Sequence, residues 1–200
     1  AAELSMRRGL QLQKQMLGPD HPDVAVGLRN LSRVLRQRKA YAEAEQCCRE
    51  ALQICQQKNG KDHLSVAVTQ HALALTLLSQ GKNADAEPCL EEAVRIGTAT
   101  LPDHHPNLAE FRLRLGYTRM LLGRAAAARP LFEQVYDSMR ERRGGDEHIA
   151  VQAVKNMIKY GIDVGDFELV DRWRQRLPAA DRGFASDVEA QRRQQLQAGK

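Results

Sequence analysis

Aromatic residues are scarce: Phe, Tyr and Trp make up 4% of the 200 residues, with a single Trp, so Ala and Leu must do most of the packing. Alternating runs of Val, Ile, Thr and aromatics between hairpin turns are missing, which excludes a β-sandwich or barrel. No apolar run is long enough for a secretory leader or a membrane span. There is no Gly-rich phosphate loop, no Gly-x-Ser-x-Gly elbow and no His-Glu-x-x-His pair. The segment therefore reads as non-enzymatic, with no catalytic residue, cofactor or metal expected. The four cysteines, Cys47, Cys48, Cys55 and Cys89, show no Cys-x-x-Cys or Cys/His zinc spacing. Cys48 and Cys55 fall two helical turns apart, about 10.5 Å along one axis and too far for a disulfide. They read as packed thiols of an intracellular, reducing setting, and a cytoplasmic location is expected. The net charge is +5, from 30 basic and 25 acidic residues. That suits acidic partners but falls short of the concentrated Lys/Arg face that nucleic acid needs.

What the chain does have is a period of 42 residues. His21-Pro22-Asp23-Val24-Ala25, His63-Leu64-Ser65-Val66-Ala67 and His105-Pro106-Asn107-Leu108-Ala109 open successive blocks. Ala44-Glu45, Ala86-Glu87 and Ala128-Arg129 recur in the same phase, as do Lys39, Gly81, Gly123 and Gly165. A fixed period of this size signals a stacked repeat rather than one globular core. Such arrays present a long surface to another molecule.

Within the first block Val24, Leu28, Leu31 and Leu35 line one face of a helix, termed A. Pro22 suits its first position, where a missing N–H costs nothing. The Lys39/Gly position closes it, since a Gly there permits the left-handed residue that ends a helix. Helix B follows, with Ala44, Cys48, Ala51, Leu52 and Cys55 on one stripe. The small residues Ala44, Ala86 and Ala128 mark where two helices approach closely. Each block is thus an antiparallel helix pair. No pair can cover its own apolar stripes, so neighbouring pairs must stack.

The stretches LGPDHPDVA (17–25), AYAEAEQCCREALQI (40–54) and GKNADAEPCLEEAVRI (81–96) resemble tetratricopeptide repeats. The 42-residue period and the GPDHP joint resemble the kinesin light chain subtype. The resemblance covers about residues 2 to 177 and implies an all-α, right-handed solenoid of stacked helix pairs. Residues 1–20 read as the second helix of a truncated repeat and 21–62, 63–104 and 105–147 as repeats 1 to 3. Residues 148–177 form a divergent repeat 4, its helix B running from Asp166 to Leu177, and 178–200 a capping helix or a linker. A capping box at Ser186 and Glu189 opens the last helix, to about Leu196. Arg142-Arg143-Gly144-Gly145 loosens the third joint, and His148 follows His105 by 43 residues instead of 42. The orphan first helix and the absent initiator Met read as a segment of a longer protein. The recurring histidines, His21, His63, His105 and His148, read as helix N-terminal residues that satisfy backbone groups, not as metal ligands, because residues one repeat apart lie on successive layers.

In proteins of this resemblance the helix A face away from helix B lines a concave groove, and Asn and Lys/Arg there clamp peptide carboxylates. On this chain that face holds Arg29, Asn30, Arg33 and Arg36, then His71, Leu75 and Leu78. Farther along it holds Arg114 and Tyr117, with Glu110 at the mouth, and then Lys155, Asn156 and Lys159. Ala72 and Arg114 occupy the two middle Asn places, so a strict two-Asn clamp is not expected. Arg29, Arg33 and Arg36 share one helical face, and guanidinium forks match carboxylates. The expected function is a monomeric, non-catalytic adaptor or scaffold that binds an extended, acidic peptide of another protein, without membrane contact. The alternative is an architectural or regulatory solenoid that packs against other domains of a larger parent protein. A third reading is RNA binding through the Arg clusters at 140–143 and 172–176.

Overall fold

A computed structural model describes residues 2–140, 147–181, 183, 184, 187 and 190. Among the described residues there are nine α-helices, one 3-10 turn and no strand. The helices are α1 (Ala2–Leu17), α2 (Pro22–Gln37), α3 (Tyr41–Asn59), α4 (Leu64–Ser79) and α5 (Asn83–Thr100). They continue as α6 (Pro106–Leu121), α7 (Ala125–Arg140), α8 (Glu147–Val164) and α9 (Phe167–Arg174), with the turn at Ala179–Asp181. Two compact units divide the chain, Ala1–Pro102 (unit 1) and Asp103–Lys200 (unit 2). In unit 1, α2 packs on α3 and α4 on α5, while α1 covers α2 and α3 covers α4. In unit 2, α6 packs on α7 and α8 on α9, with α7 also against α8. The anticipated joint at Arg142–Gly145 lies outside the described residues, as does the helix from Ser186 to Leu196 apart from Asp187 and Ala190.

The landmarks of the period have local physical causes. His21, His63 and His105 are the N-caps of α2, α4 and α6. Each Nδ1 accepts the N–H two residues on, at 3.2, 3.1 and 3.1 Å, and so satisfies a helix-start donor. After α4, α6 and α8, Gly81, Gly123 and Gly165 adopt φ of 75°, 73° and 76°. Lys39 does the same without glycine's freedom, at φ 62°. His148 departs from this plan. It lies inside α8, whose turn at Gly165 follows Gly123 by 42 residues. By that register Glu147 stands where His105 stands, and His148 where Pro106 stands. His148 is therefore one place past the cap position of the earlier repeats, inside α8.

Ala44, Ala86 and Ala128 are fully buried, at 0% exposure. A second position also governs how A meets B. In unit 2 a Cβ on Gly116 would stand 2.5 Å from Cε1 of Phe132, closer than real side chains come. One repeat earlier the same two positions hold Ala74 and Leu90, and two repeats earlier Ser32 and Cys48. All six are buried. As the helix B residue grows from Cys to Leu to Phe, the helix A residue shrinks from Ser to Ala to Gly, which keeps the volume nearly constant. In the last pair the close approach moves to Gly161, whose added Cβ would meet Val170 Cγ2 at 2.8 Å.

The Ala-Glu landmark also ties layers together. The Glu45 carboxylate accepts from Arg49 (2.7 Å) on its own helix, and from Gln80 (2.8 Å) and Lys82 (3.1 Å) at the turn after α4. Glu3 repeats the arrangement with Arg7 (2.9 Å) and with Arg38, which stands where Gln80 does one repeat on. Hydrogen bonds from Gln80 and Arg49 hold the Glu45 carboxyl down to about 2. In unit 2 the landmark residue is Arg129, and the i, i+4 pair is reversed, Arg129 to Glu133 at 2.9 Å. The fourth helix B is shorter than its pattern. Asp166 caps α9 by accepting from Leu169 N–H at 2.9 Å, but the helix stops at Arg174 and Leu177 is reached through tighter i to i+3 bonds. Pro178 cannot donate to a continuing helix.

Candidate functional site

In unit 1 the A-helix residues divide into two kinds. Asn30 and Arg33 are exposed on α2, whereas Arg29 and Arg36 are half-buried. Arg29 donates to Thr69 Oγ1 of α4 at 3.2 Å, so part of its donor capacity ties neighbouring A helices together. On α4 the corresponding face carries half-buried His71, Leu75 and Leu78. Charge on one A helix thus gives way to apolar surface on the next.

Unit 2 holds a better-formed cavity of about 370 Å³, lined by Glu110, Leu113, Arg114 and Tyr117 of α6 and by His148, Ile149, Gln152 and Asn156 of α8. Glu110 and Arg114 stand one turn apart, as do His148, Gln152 and Asn156, so each set shares a helix face. Arg114 Nε donates to Glu110 at 2.7 Å, which places a carboxylate on the guanidinium at the cavity mouth. Asn156 is 8% exposed, and its Oδ1 accepts from Gln152 Nε2 at 3.1 Å, so its amide N–H groups are not used by that bond. Lys159 lies beside the cavity with Nζ 5.7 Å from the Tyr117 ring centre, a cation–π contact between equivalent positions of α6 and α8. Tyr117 therefore lines the cavity with a ring that already has the Lys159 ammonium over it.

Lys155 is placed differently from the expectation. It does not line the cavity. Its ammonium bonds Asp181 Oδ1 at 2.5 Å and lies 5.4 Å from the Phe184 ring, which packs against the unit 2 core. Asp181 and Phe184, both beyond α9, thus meet α8 at Lys155, and Lys155 serves that contact. Conversely His148, Ile149, Gln152 and Leu113 join the cavity although the sequence pattern did not single them out for it. The same 42-residue register that sets Asn156 level with Arg114 sets Gln152 level with Glu110, and that signal was available.

The thiols are free. Cys48 Sγ lies 3.9 Å from Thr76 Oγ1, and Cys55 Sγ 3.6 Å from Thr69 Oγ1, both buried. Burial pushes the Cys47 thiol up to about 11 and raises Cys48 and Cys89 as well, which keeps them protonated and poorly nucleophilic near neutrality. Among the described residues no three His, Cys, Asp or Glu side chains gather to hold a metal, and no helix is long and apolar enough to cross a membrane.

On the helix B side of unit 2, arginines from separate stretches meet on aromatic rings. Tyr136 of α7 and Trp173 of α9 pack edge to face, with centroids 5.1 Å apart. The Arg176 guanidinium lies 4.1 Å from the Trp173 centroid and 5.1 Å from that of Tyr136, and Arg140 lies 5.7 Å from Tyr136.

An array of helix pairs with a lined face on its A helices defines the class of protein. A tetratricopeptide repeat model matches residues 28–99 and again 73–141, more than half of the chain, and the chain belongs to that family. Such repeats generally serve as protein–protein interaction modules and are typically non-catalytic. The structural neighbours are kinesin light chain-like. One is a proposed kinesin light chain of Podosopora anserina with nearly identical TPR-like repeats (20% identity, TM-score 0.74, covering 95% of this chain and 86% of that one). A point variant of that same protein gives 19% identity and a TM-score of 0.76 over 96% of this chain and 87% of that one. BtubC (BKLC) from P. vanneervenii gives 19% identity and a TM-score of 0.79 over 94% and 72%. At such identities the likeness speaks to the fold. No curated protein matches the chain.

Proposed function

We propose that this chain is a non-catalytic protein-interaction module whose A-helix faces take an extended, acidic peptide segment. The observation that carries the reading is the unit 2 cavity, where Arg114, Tyr117, Gln152 and Asn156 converge from two A helices on about 370 Å³. An Asn amide at the cavity wall suits a peptide backbone, and a fork-shaped guanidinium suits a carboxylate. Glu110 now holds that guanidinium, so an incoming acidic side chain replaces Glu110 there. In unit 1, Arg29, Asn30, Arg33 and Arg36 with His71, Leu75 and Leu78 offer a second face of the same kind. Lys155 belongs to the supporting contact with Asp181, not to the peptide. Each exposed ion pair contributes only about 0–1 kcal/mol, so affinity comes from several of them together with apolar contact. Binding is micromolar and weakened by salt.

A peptide array probed with the wild type and with an Arg114→Glu/Lys159→Glu variant tests this, with circular dichroism to show that the variant keeps its helices. Acidic sequences are expected to be enriched among the hits, and the variant to lose them. An array without acidic enrichment, or a variant that keeps every hit, overturns the reading. The architectural alternative draws its support from α1, where Leu4, Leu12 and Met16 are 60%, 57% and 81% exposed and form a stripe suited to packing.

A further inference from the structure

The arginine–aromatic cluster on the helix B side of unit 2 is not part of the cavity, and its arginines lie outside the core that its rings help to build. Trp173 is a core residue, 3% exposed, and Tyr136 is half-buried against the same core. Arg140, Arg172 and Arg176, by contrast, are exposed. Asp171, the acidic residue on α9 nearest to them, pairs with Arg174 at 3.6 Å. Among the described residues no carboxylate lies within ion-pair distance of Arg140, Arg172 or Arg176. Asp137, one residue after Tyr136, is exposed without pairing to them. Two guanidinium planes are thus steadied against rings while their N–H edges remain available. A stacked guanidinium loses less freedom on binding than a free one, and its fork geometry matches a tetrahedral oxyanion.

We propose that Arg140 and Arg176, steadied by Tyr136 and Trp173, form a second binding site, for the phosphate of a phosphorylated serine or threonine on a partner protein. A phosphate monoester offers about 1.5 to 2 negative charges and three strong acceptors, against one charge and two oxygens for a carboxylate. That density suits cations that gather on one pair of rings. A nucleic acid fits less well. It needs cations spaced along a track and open ring faces for its bases, and here Trp173 is buried and guanidinium covers the rings. The site lies on α7, α9 and the turn that follows α9, whereas the cavity lies on α6 and α8, so either can fail without the other.

Trp173 is the chain's single tryptophan and lies under Arg176, so its fluorescence reports on the site. The test titrates the whole chain with a Gly/Ser-rich peptide bearing one phosphoserine, with its unphosphorylated twin and with oligouridylate, calorimetry running alongside. The phosphopeptide is expected to give a saturable change, with the twin weaker by about tenfold or more. Arg140→Gln, an exposed change at the end of α7, and Arg140→Gln/Arg176→Gln should each weaken it, the double variant by about tenfold or more. Arg114→Gln in the cavity should leave it unchanged. Equal binding of the twin, tighter binding of oligouridylate, full binding by the double variant, or no saturable signal by either method overturns the proposal.

Discussion

In unit 1 the two positions that set the helix A to helix B distance hold Ser32 with Cys48 and Ala74 with Leu90. In unit 2 they hold Gly116 with Phe132, and the ring lies where a Cβ would be. Unit 1 ties its layers with caged carboxylates, Glu3 and Glu45, at successive turns. Unit 2 reverses the landmark charge at Arg129 and relies on larger core residues, Phe132, Met157, Ile158 and Trp173. The period is therefore a constraint on spacing and volume, not on residue identity. Any combination that fills the same gap and closes the same turn maintains it.

The largest effects should come from overfilling the shared constraint in both units. Ala86→Leu and Ala128→Leu each place a branched side chain at a site with no exposure, and each should cost about 1–3 kcal/mol in urea melts. A cost at one site and none at the other would break the equivalence of the two units.

Gly116→Ala should destabilise somewhat less, by about 1–2 kcal/mol, because better helix propensity offsets part of the clash. The double variant Gly116→Ala/Phe132→Leu installs the Ala74/Leu90 solution in unit 2 and should regain most of the loss. If the double variant is less stable than the single one, the volume exchange is wrong.

Glu45→Gln should cost about 1–2 kcal/mol near neutral pH, since it removes charge-assisted bonds from a mostly buried carboxylate. With the carboxyl held at about 2 against an ordinary 4.5, the stabilisation is complete above the ordinary range and is lost as pH falls from 4.5 towards 2. The difference between wild type and variant should therefore shrink on going from neutral pH to below that window, as urea melts at several pH values will show. Arg129→Ala, at the half-buried counterpart in unit 2, should stay within about 1 kcal/mol of wild type.

The smallest effect concerns Lys39. Its left-handed backbone is strained for a side chain, so Lys39→Gly should stabilise by about 0.5–1 kcal/mol, and Gly81→Ala should destabilise by a similar amount. Thermal melts measure both.

Much of this plan is legible along the chain. The histidine caps, the glycine turns and the A and B stripes are local, and each recurs with the period. Family membership followed from the same residues. The site was legible only in part. Arg114, Tyr117 and Asn156 meet because one register links α6 and α8, and the glycines show that register. The partner of Lys155 was hidden, because Asp181 lies beyond the last repeat and no periodicity pairs them. The join of Arg140 to Arg176 over Tyr136 and Trp173 was hidden likewise, because it depends on how α9 ends. The Ser-to-Gly and Cys-to-Phe exchange is visible in the sequence only once the two positions are known to face each other.

The most direct test of peptide binding at the A-helix cavity is amide hydrogen exchange of the chain with and without an acidic peptide selected from the array. Slower exchange is predicted in α6 and α8 around Arg114, Gln152 and Asn156, lost in the Arg114→Glu/Lys159→Glu variant, with α7 and α9 unchanged. Protection confined to α7 and α9, or none at a saturating peptide concentration, would contradict it.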